Sequence, residues 1–157
     1  MLMKMNKILQ KQRGISLLEV MLSLAIIAII LLLATRYYVV ASKSASLNAT
    51  TALIGSIQQG AAQYRVGQGS YANMTQTTLI NQGSIAKTDQ TSDGTGIVTE
   101  WGAVTVDGSA GTSYKITLDT LPFDVCTNLT NRYSTSATVS PGCTGGATTD
   151  LTITYPQ

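Results

Sequence analysis

Residue types that do chemistry near neutral pH are scarce in this chain. There is no histidine, which removes the commonest general base and the commonest metal ligand. The only cysteines, Cys126 and Cys143, are too few for a structural zinc site, which takes four ligands, so neither a metal nor any other cofactor is expected. No serine, threonine or cysteine has the context of an activated nucleophile, and no carboxylates are paired for acid–base work. The expectation is a protein that is not an enzyme. One ionisable side chain is nevertheless out of place. Glu19 lies within RGISLLEVM, and the following residues 20–34 contain one polar side chain, Ser23. A bare carboxylate at bilayer depth costs about 2.5–3.5 kcal/mol on insertion scales, which makes an ionisable group there a functional candidate.

The elements that must hold Glu19 follow from the charge distribution. The formal charge of +2 in 157 residues conceals an uneven placement. Four of the ten basic residues, Lys4, Lys7, Lys11 and Arg13, precede residue 15 with no acidic residue among them, leaving six basic against eight acidic beyond it. The remainder carries no basic patch, so no specific nucleic-acid binding is expected. The basic cluster fits a cytoplasmic flank under the positive-inside rule and places the C-terminal part across the membrane.

The segment after the cluster, ISLLEVMLSLAIIAIILLLAT, admits more than one reading. An ordinary secretory signal has an apolar core of about 7–15 residues, and this one is longer; VVA at residues 39–41 offers small residues for cleavage, but Arg36, Tyr37 and Tyr38 intervene. A plain signal anchor accounts for the length, since residues 15–35 as a helix span about 31 Å, but leaves Glu19 unexplained except as a polar residue that snorkels toward the interface.

Gly14, Ile15, Ser16, Leu17, Leu18 and Glu19, preceded by a short basic leader and followed by uninterrupted hydrophobicity, resemble the prepilin signature of type IV pilins. The resemblance implies cleavage by prepilin peptidase between Gly14 and Ile15, N-methylation at Ile15, and retention of the apolar run in the mature chain. It also implies a role for Glu19 in subunit assembly, neutralising the new amine on a neighbouring copy; opposite charges attract strongly in a low-dielectric core, whereas either alone is penalised. Phenylalanine is the usual first mature residue of the type IVa branch, and an aliphatic Ile15 after a leader of 14 residues looks more like the type IVb branch.

Nothing stops the helix at the membrane edge: no proline occurs before Pro122 and no glycine between Gly14 and Gly55. Apolar residues recur at Val40, Leu47, Ile54 and Ala61, with Ile57 and Tyr64 between the later ones, while Lys43, Ser46, Asn48, Gln58 and Gln59 take other faces. That pattern predicts an amphipathic helix with one buried stripe, packed against an attached domain rather than in a coiled coil, because other heptad positions include Lys43 and Thr50. VGQGS at residues 66–70 supplies glycines for a C-cap. Helix over residues 15–66 would run about 78 Å. Gly55 and Gly60 would each weaken it by about 0.5–1 kcal/mol relative to alanine, marking a bend or a close approach.

Beyond residue 66 the chain is rich in Thr, Ser, Asn and Gly, with only ten charged residues. Strand signals argue against disorder. AVTVDG and SYKITLDT alternate on either side of SAGT, a hairpin with a loop of about four to five residues; IVTEW and DLTITY are further strand candidates. MTQTTLINQG reads as a short helix, and PFDVCTNLTNRY as another with Pro122 at its first position. The expected fold class is α+β: a long N-terminal helix packed against a small antiparallel head. Cys126 and Cys143 fall in the part expected outside the cytoplasm, where a disulfide closing their loop would stabilise by about 3 kcal/mol; the alternative is two free thiols. LPFDVCTNL, with its proline shortly before the first cysteine, looks like the type IVb pilins of conjugative thin pili and bundle-forming pili, and the resemblance implies that the bonded segment is an exposed part of the head. Two other patterns carry little. Asn48, Asn73 and Asn128 begin glycosylation triplets of the kind that chance produces in a Thr-rich chain. DQTSDGTG lacks the spacing and final glutamate of a calcium loop and reads as an exposed turn.

The organisation expected is a cleaved cytoplasmic leader (1–14), a transmembrane and fibre-core helix (15–36), the amphipathic half of the same helix (37–66) and a globular head (67–157). The function implied is a structural subunit of a type IV pilus, held in the inner membrane as a precursor and assembled with other copies of itself into an extracellular filament for adhesion, aggregation or conjugation. Its partners would be prepilin peptidase and the assembly machinery of inner-membrane platform, motor ATPase and outer-membrane secretin. Rival readings are a minor pilin, a type II secretion pseudopilin, or a bitopic membrane protein with an extracytoplasmic binding domain.

Overall fold

A computed structural model describes residues 16–143, 146 and 148–156. Gly14 and Ile15 lie outside the described residues. The chain divides into two compact units, Met1–Ser42 and Lys43–Gln157.

In the first unit the described residues are almost wholly helical, belonging to α1 (Leu17–Gln68). The residues of its apolar run are exposed throughout; Leu22, Ile26, Ile29 and Leu33 are each at least half accessible. This helix is long and apolar enough to cross a membrane. Two of its hydroxyls are turned inward to the backbone: Ser23 Oγ donates to the Val20 carbonyl at 2.8 Å and Thr35 Oγ1 to the Leu31 carbonyl at 2.8 Å. Such back-bonding would satisfy these hydroxyls inside a bilayer, where no water is at hand.

In the second unit the same helix changes character. Thr50, Leu53, Ile54, Ile57, Gly60 and Ala61 are buried, spaced three and four apart as one face of a helix requires. The stripe is narrower at its start than the heptad pattern suggests: Val40 is exposed and Leu47 only partly covered. Gly60 earns its place sterically, because a Cβ there would stand 2.7 Å from Ser84 Cβ. Gly55 faces open space and marks no close approach. The helix stops where Gly69, at φ +76°, donates its N–H to the Arg65 carbonyl at 2.7 Å, the left-handed closure that glycine adopts without a Cβ penalty.

After α1 comes α2 (Gln76–Asn81), fixed at its start by a reciprocal box: the Thr75 N–H donates to Thr78 Oγ1 at 2.9 Å, and the Thr78 N–H donates to Thr75 Oγ1. A 3-10 turn at Lys87–Asp89 follows. The sheet contains β1 (Ile97–Val98), β2 (Ala103–Asp107), β3 (Ser113–Leu121), β4 (Thr138–Ser140) and β5 (Thr149–Pro156) in the spatial order β1-β2-β3-β5-β4, with every neighbouring pair antiparallel. Between β3 and β4 lies α3 (Phe123–Tyr133).

Alternation puts one face of the sheet inside. Val104 and Val106 of β2, Tyr114, Ile116 and Leu118 of β3, and Leu151, Ile153 and Tyr155 of β5 are buried in one core with Leu53, Ile54, Ile57 and Ala61 of α1 and with Val125 and Leu129 of α3. Each fully buried aliphatic side chain contributes about 1.5–3 kcal/mol relative to exposure. The fold is the α+β arrangement expected, a long helix on a small antiparallel sheet. Three details differ. IVTEW forms strand only at Ile97–Val98, because the chain turns at Thr99, whose N–H donates to the Gly102 carbonyl at 2.8 Å. Pro122 is the N-cap of α3 in extended conformation (ψ 147°) rather than its first helical residue. The edge strand β4 was not foreseen.

Candidate assembly site

Glu19 lies in the first turn of α1, two residues after its start, and its N–H donates to the Ser16 carbonyl at 2.9 Å. A carboxylate in a first turn faces the positive end of the helix dipole, worth about 0.3–1 kcal/mol. That is a small return against the desolvation cost of a charge in an apolar segment. Within the described residues of the first unit no basic side chain pairs with it. The expected partner, the amine of Ile15, lies outside the described residues.

The second unit is held by a different chemistry. Cys126 and Cys143 form a disulfide with Cα atoms 5.8 Å apart, within the range a bridge spans. Cys126 is completely buried and Cys143 partly so. The bonded segment is thus not simply an exposed flap: α3 turns Val125, Cys126, Leu129 and Tyr133 into the core, and β4 pairs Val139 with Ile153 of β5.

Sequence inspection gave no sign of the ion pair between Lys43 of α1 and Asp124 of α3, with Nζ 2.8 Å from Oδ2. The pair ties the start of α3 to α1 across 81 residues of sequence, and the lysine's hydrogen bond holds the Asp124 carboxyl below its ordinary value. Nearly one turn further along α1, Ser46 Oγ donates to the Glu100 carboxylate in the turn after β1. Only the alternation of Lys43 and Ser46 with apolar helix positions hinted that these side chains flank the buried stripe.

In the DQTSDGTG loop, Asp93 accepts hydrogen bonds from the Thr91 and Thr95 hydroxyls, which lower its pKa to about 2. The carboxylate's capacity is thereby spent on closing the turn. Among the described residues no three His, Cys, Asp or Glu side chains cluster to hold a metal.

What the arrangement offers is a mixed surface: an apolar helix with one carboxylate near its start, and a braced head. Residues 40–155 match the protein family described as Bundlin, and residues 9–35 match the prokaryotic N-terminal methylation motif. The chain belongs to the bundlin family of type IV pilins. The two matches together cover the end of the basic leader, the apolar helix and nearly all of the head. No curated protein and no solved structure matches the chain. Members of this pilin class are structural subunits rather than enzymes, so the chain is a type IV pilus subunit that undergoes prepilin processing and assembles with copies of itself. The methylation motif and the apolar helix fit an inner-membrane precursor that becomes part of an extracellular pilus.

Proposed function

We propose that this bundlin-family subunit is cut by prepilin peptidase between Gly14 and Ile15, methylated at Ile15, and built into a helical fibre by pairing Glu19 with the Ile15 amine of a neighbouring copy. The observation that carries the reading is a lone carboxylate in the first turn of a helix whose following residues are apolar and exposed. Such a surface needs a second medium. In lipid the acyl chains supply it; in a fibre the helices of other copies do. Lipid is as apolar as leucine, so the hydrophobic effect alone does not choose between the two. The charge pair does, because it forms only when copies are staggered to bring one carboxylate to another's amine.

On this reading residues 1–14 are a cytoplasmic leader, 15–36 the membrane and fibre-core helix, 37–66 its amphipathic continuation and 67–157 the head. Contacts between copies are heterologous and do not close, which generates an open filament. An inner-membrane platform, a motor ATPase and an outer-membrane secretin are the machinery that extracts and exports it, and adhesion, aggregation or conjugation is what the fibre serves.

Two measurements test the proposal. Mass spectrometry of the mature subunit is expected to find a methylated Ile15 at the amino end, and a retained leader would defeat it. Glu19→Val is expected to insert and be processed, yet to yield few or no filaments by electron microscopy. Abundant normal filaments from that variant would refute the charge pairing.

A further inference from the structure

One groove of the head is left open by the fold. It encloses about 520 Å³ between α1 and the segment that runs through the 3-10 turn to β1. Leu53 and Val98 form its apolar base, Ala45 and Ala49 lie along the helix side, and Asp89 and Glu100 stand on the loop side. The two alanines keep the helix wall low, so a neighbouring group can approach the backbone closely. Glu100 is fixed at the groove by its hydrogen bond from Ser46. Among the described residues neither carboxylate has a basic side chain within ion-pairing distance. The groove is therefore apolar at the bottom and negative at the edge.

A complementary feature occurs at the other end of the same helix segment. Val66 is 89 % exposed, the highest value among the large hydrophobic side chains. Beside it, Arg65 is exposed and has no acidic partner among the described residues. Together they form an apolar knob next to a cation. Knob and groove cannot meet within one molecule, because Val66 follows Ala49 by 17 positions, about 25 Å along a helix. They can meet between copies displaced along the helix axis, and contacts that join unlike ends of identical molecules propagate without closing.

Resting on the filament reading above, we propose that the Arg65–Val66 corner of one copy seats in the groove of a second copy, Val66 against Leu53 and Val98, and Arg65 against Asp89 and Glu100. The contact sets the axial stagger of the heads, separately from the pairing of Glu19 at the helix start. The favoured occupant is another copy, since the cation and the exposed aliphatic group that match the groove are carried by the chain itself.

The test uses full-length chain in cells that assemble filaments. Ala49→Cys combined with Val66→Cys is expected to give a ladder of disulfide-linked multimers in sheared filaments after mild oxidation, with neither single variant doing so beyond dimers. Arg65→Glu and Glu100→Arg are each expected to lower filament yield by about tenfold through like-charge juxtaposition, and the two together to recover most of it. Filaments that form normally from both charge variants and give no 49–66 ladder would overturn this contact while leaving the pilus-subunit reading intact. Failure of the unaltered chain to form filaments would instead remove the reading on which the contact rests.

Discussion

The two units use one continuous kind of secondary structure for opposite ends. From residue 17 to the low forties α1 buries nothing, and its leucines and isoleucines face outward. From residue 50 onward the same helix hides Leu53, Ile54, Ile57 and Ala61 beneath a five-stranded sheet. The difference is where the apolar surface finds its partner: inside the chain for the head, outside it for the first unit. A head complete in itself therefore carries an apolar segment that is stable only in lipid or among its own kind.

This contrast can be broken from the inside. Ile57→Ala removes a fully buried side chain and is expected to destabilise the head by about 2–5 kcal/mol, measured by denaturant unfolding in detergent. Ile29→Ala, at a position 58 % exposed, should leave that transition unmoved. An equal loss from both variants would show that the halves are not energetically separate. Replacing both Cys126 and Cys143 by alanine should cost the head about 3 kcal/mol by freeing the unfolded chain, while leaving membrane insertion of the precursor unchanged, as cell fractionation would reveal.

A third outcome sharpens the comparison through pH. The rings of Tyr71 and Tyr114 lie 4.9 Å apart and those of Tyr114 and Tyr155 5.1 Å apart. Burial, reinforced by neighbouring phenols, raises Tyr114 far above its ordinary value of 10.0 and Tyr155 to about 12. Because the folded state holds these protons more tightly than the unfolded one, their contribution is fully present below pH 10 and is lost as pH rises through about 12. The phenolate absorbance of Tyr114 and Tyr155, read as the part removed by replacing both with phenylalanine, should rise together with loss of the near-ultraviolet circular dichroism of the head. Ionisation of Tyr114 and Tyr155 with the fold intact would contradict their burial. The smallest effect is expected from Lys43→Ala. The Lys43–Asp124 pair is about half exposed on both sides, and such pairs contribute about 0.2–1 kcal/mol, within reach of a double-mutant cycle with Asp124→Ala.

Much of this organisation was legible in the sequence because it rests on periodicity. The long apolar run followed by a three-four spacing announced α1, and alternation announced β2, β3 and β5. Glycine at positions 67 and 69 marked the helix end. Legibility failed where a short segment borrows its structure from a neighbour. Thr138–Ser140 has too few residues to show alternation, and becomes β4 only because Ile153 and its neighbours in β5 offer unpaired backbone. Leu53 lay off the seven-residue pattern, yet it is buried because the sheet covers a wider arc of the helix than one heptad seam. For assembly, Glu19 was visible because a carboxylate contradicts its surroundings. The groove was not, since its walls come from residues 45–53 and 88–100 and only the fold brings them together.

The short outer strands of the sheet have a consequence for life in a polymer. β1 offers two residues and β4 three, the latter followed at once by Pro141, which has no N–H to donate. In a filament the heads are crowded at concentrations where long bare strands would zip together into cross-β stacks. With so little backbone left open at either margin, the sheet of the head offers a neighbouring copy almost nothing to extend by strand pairing.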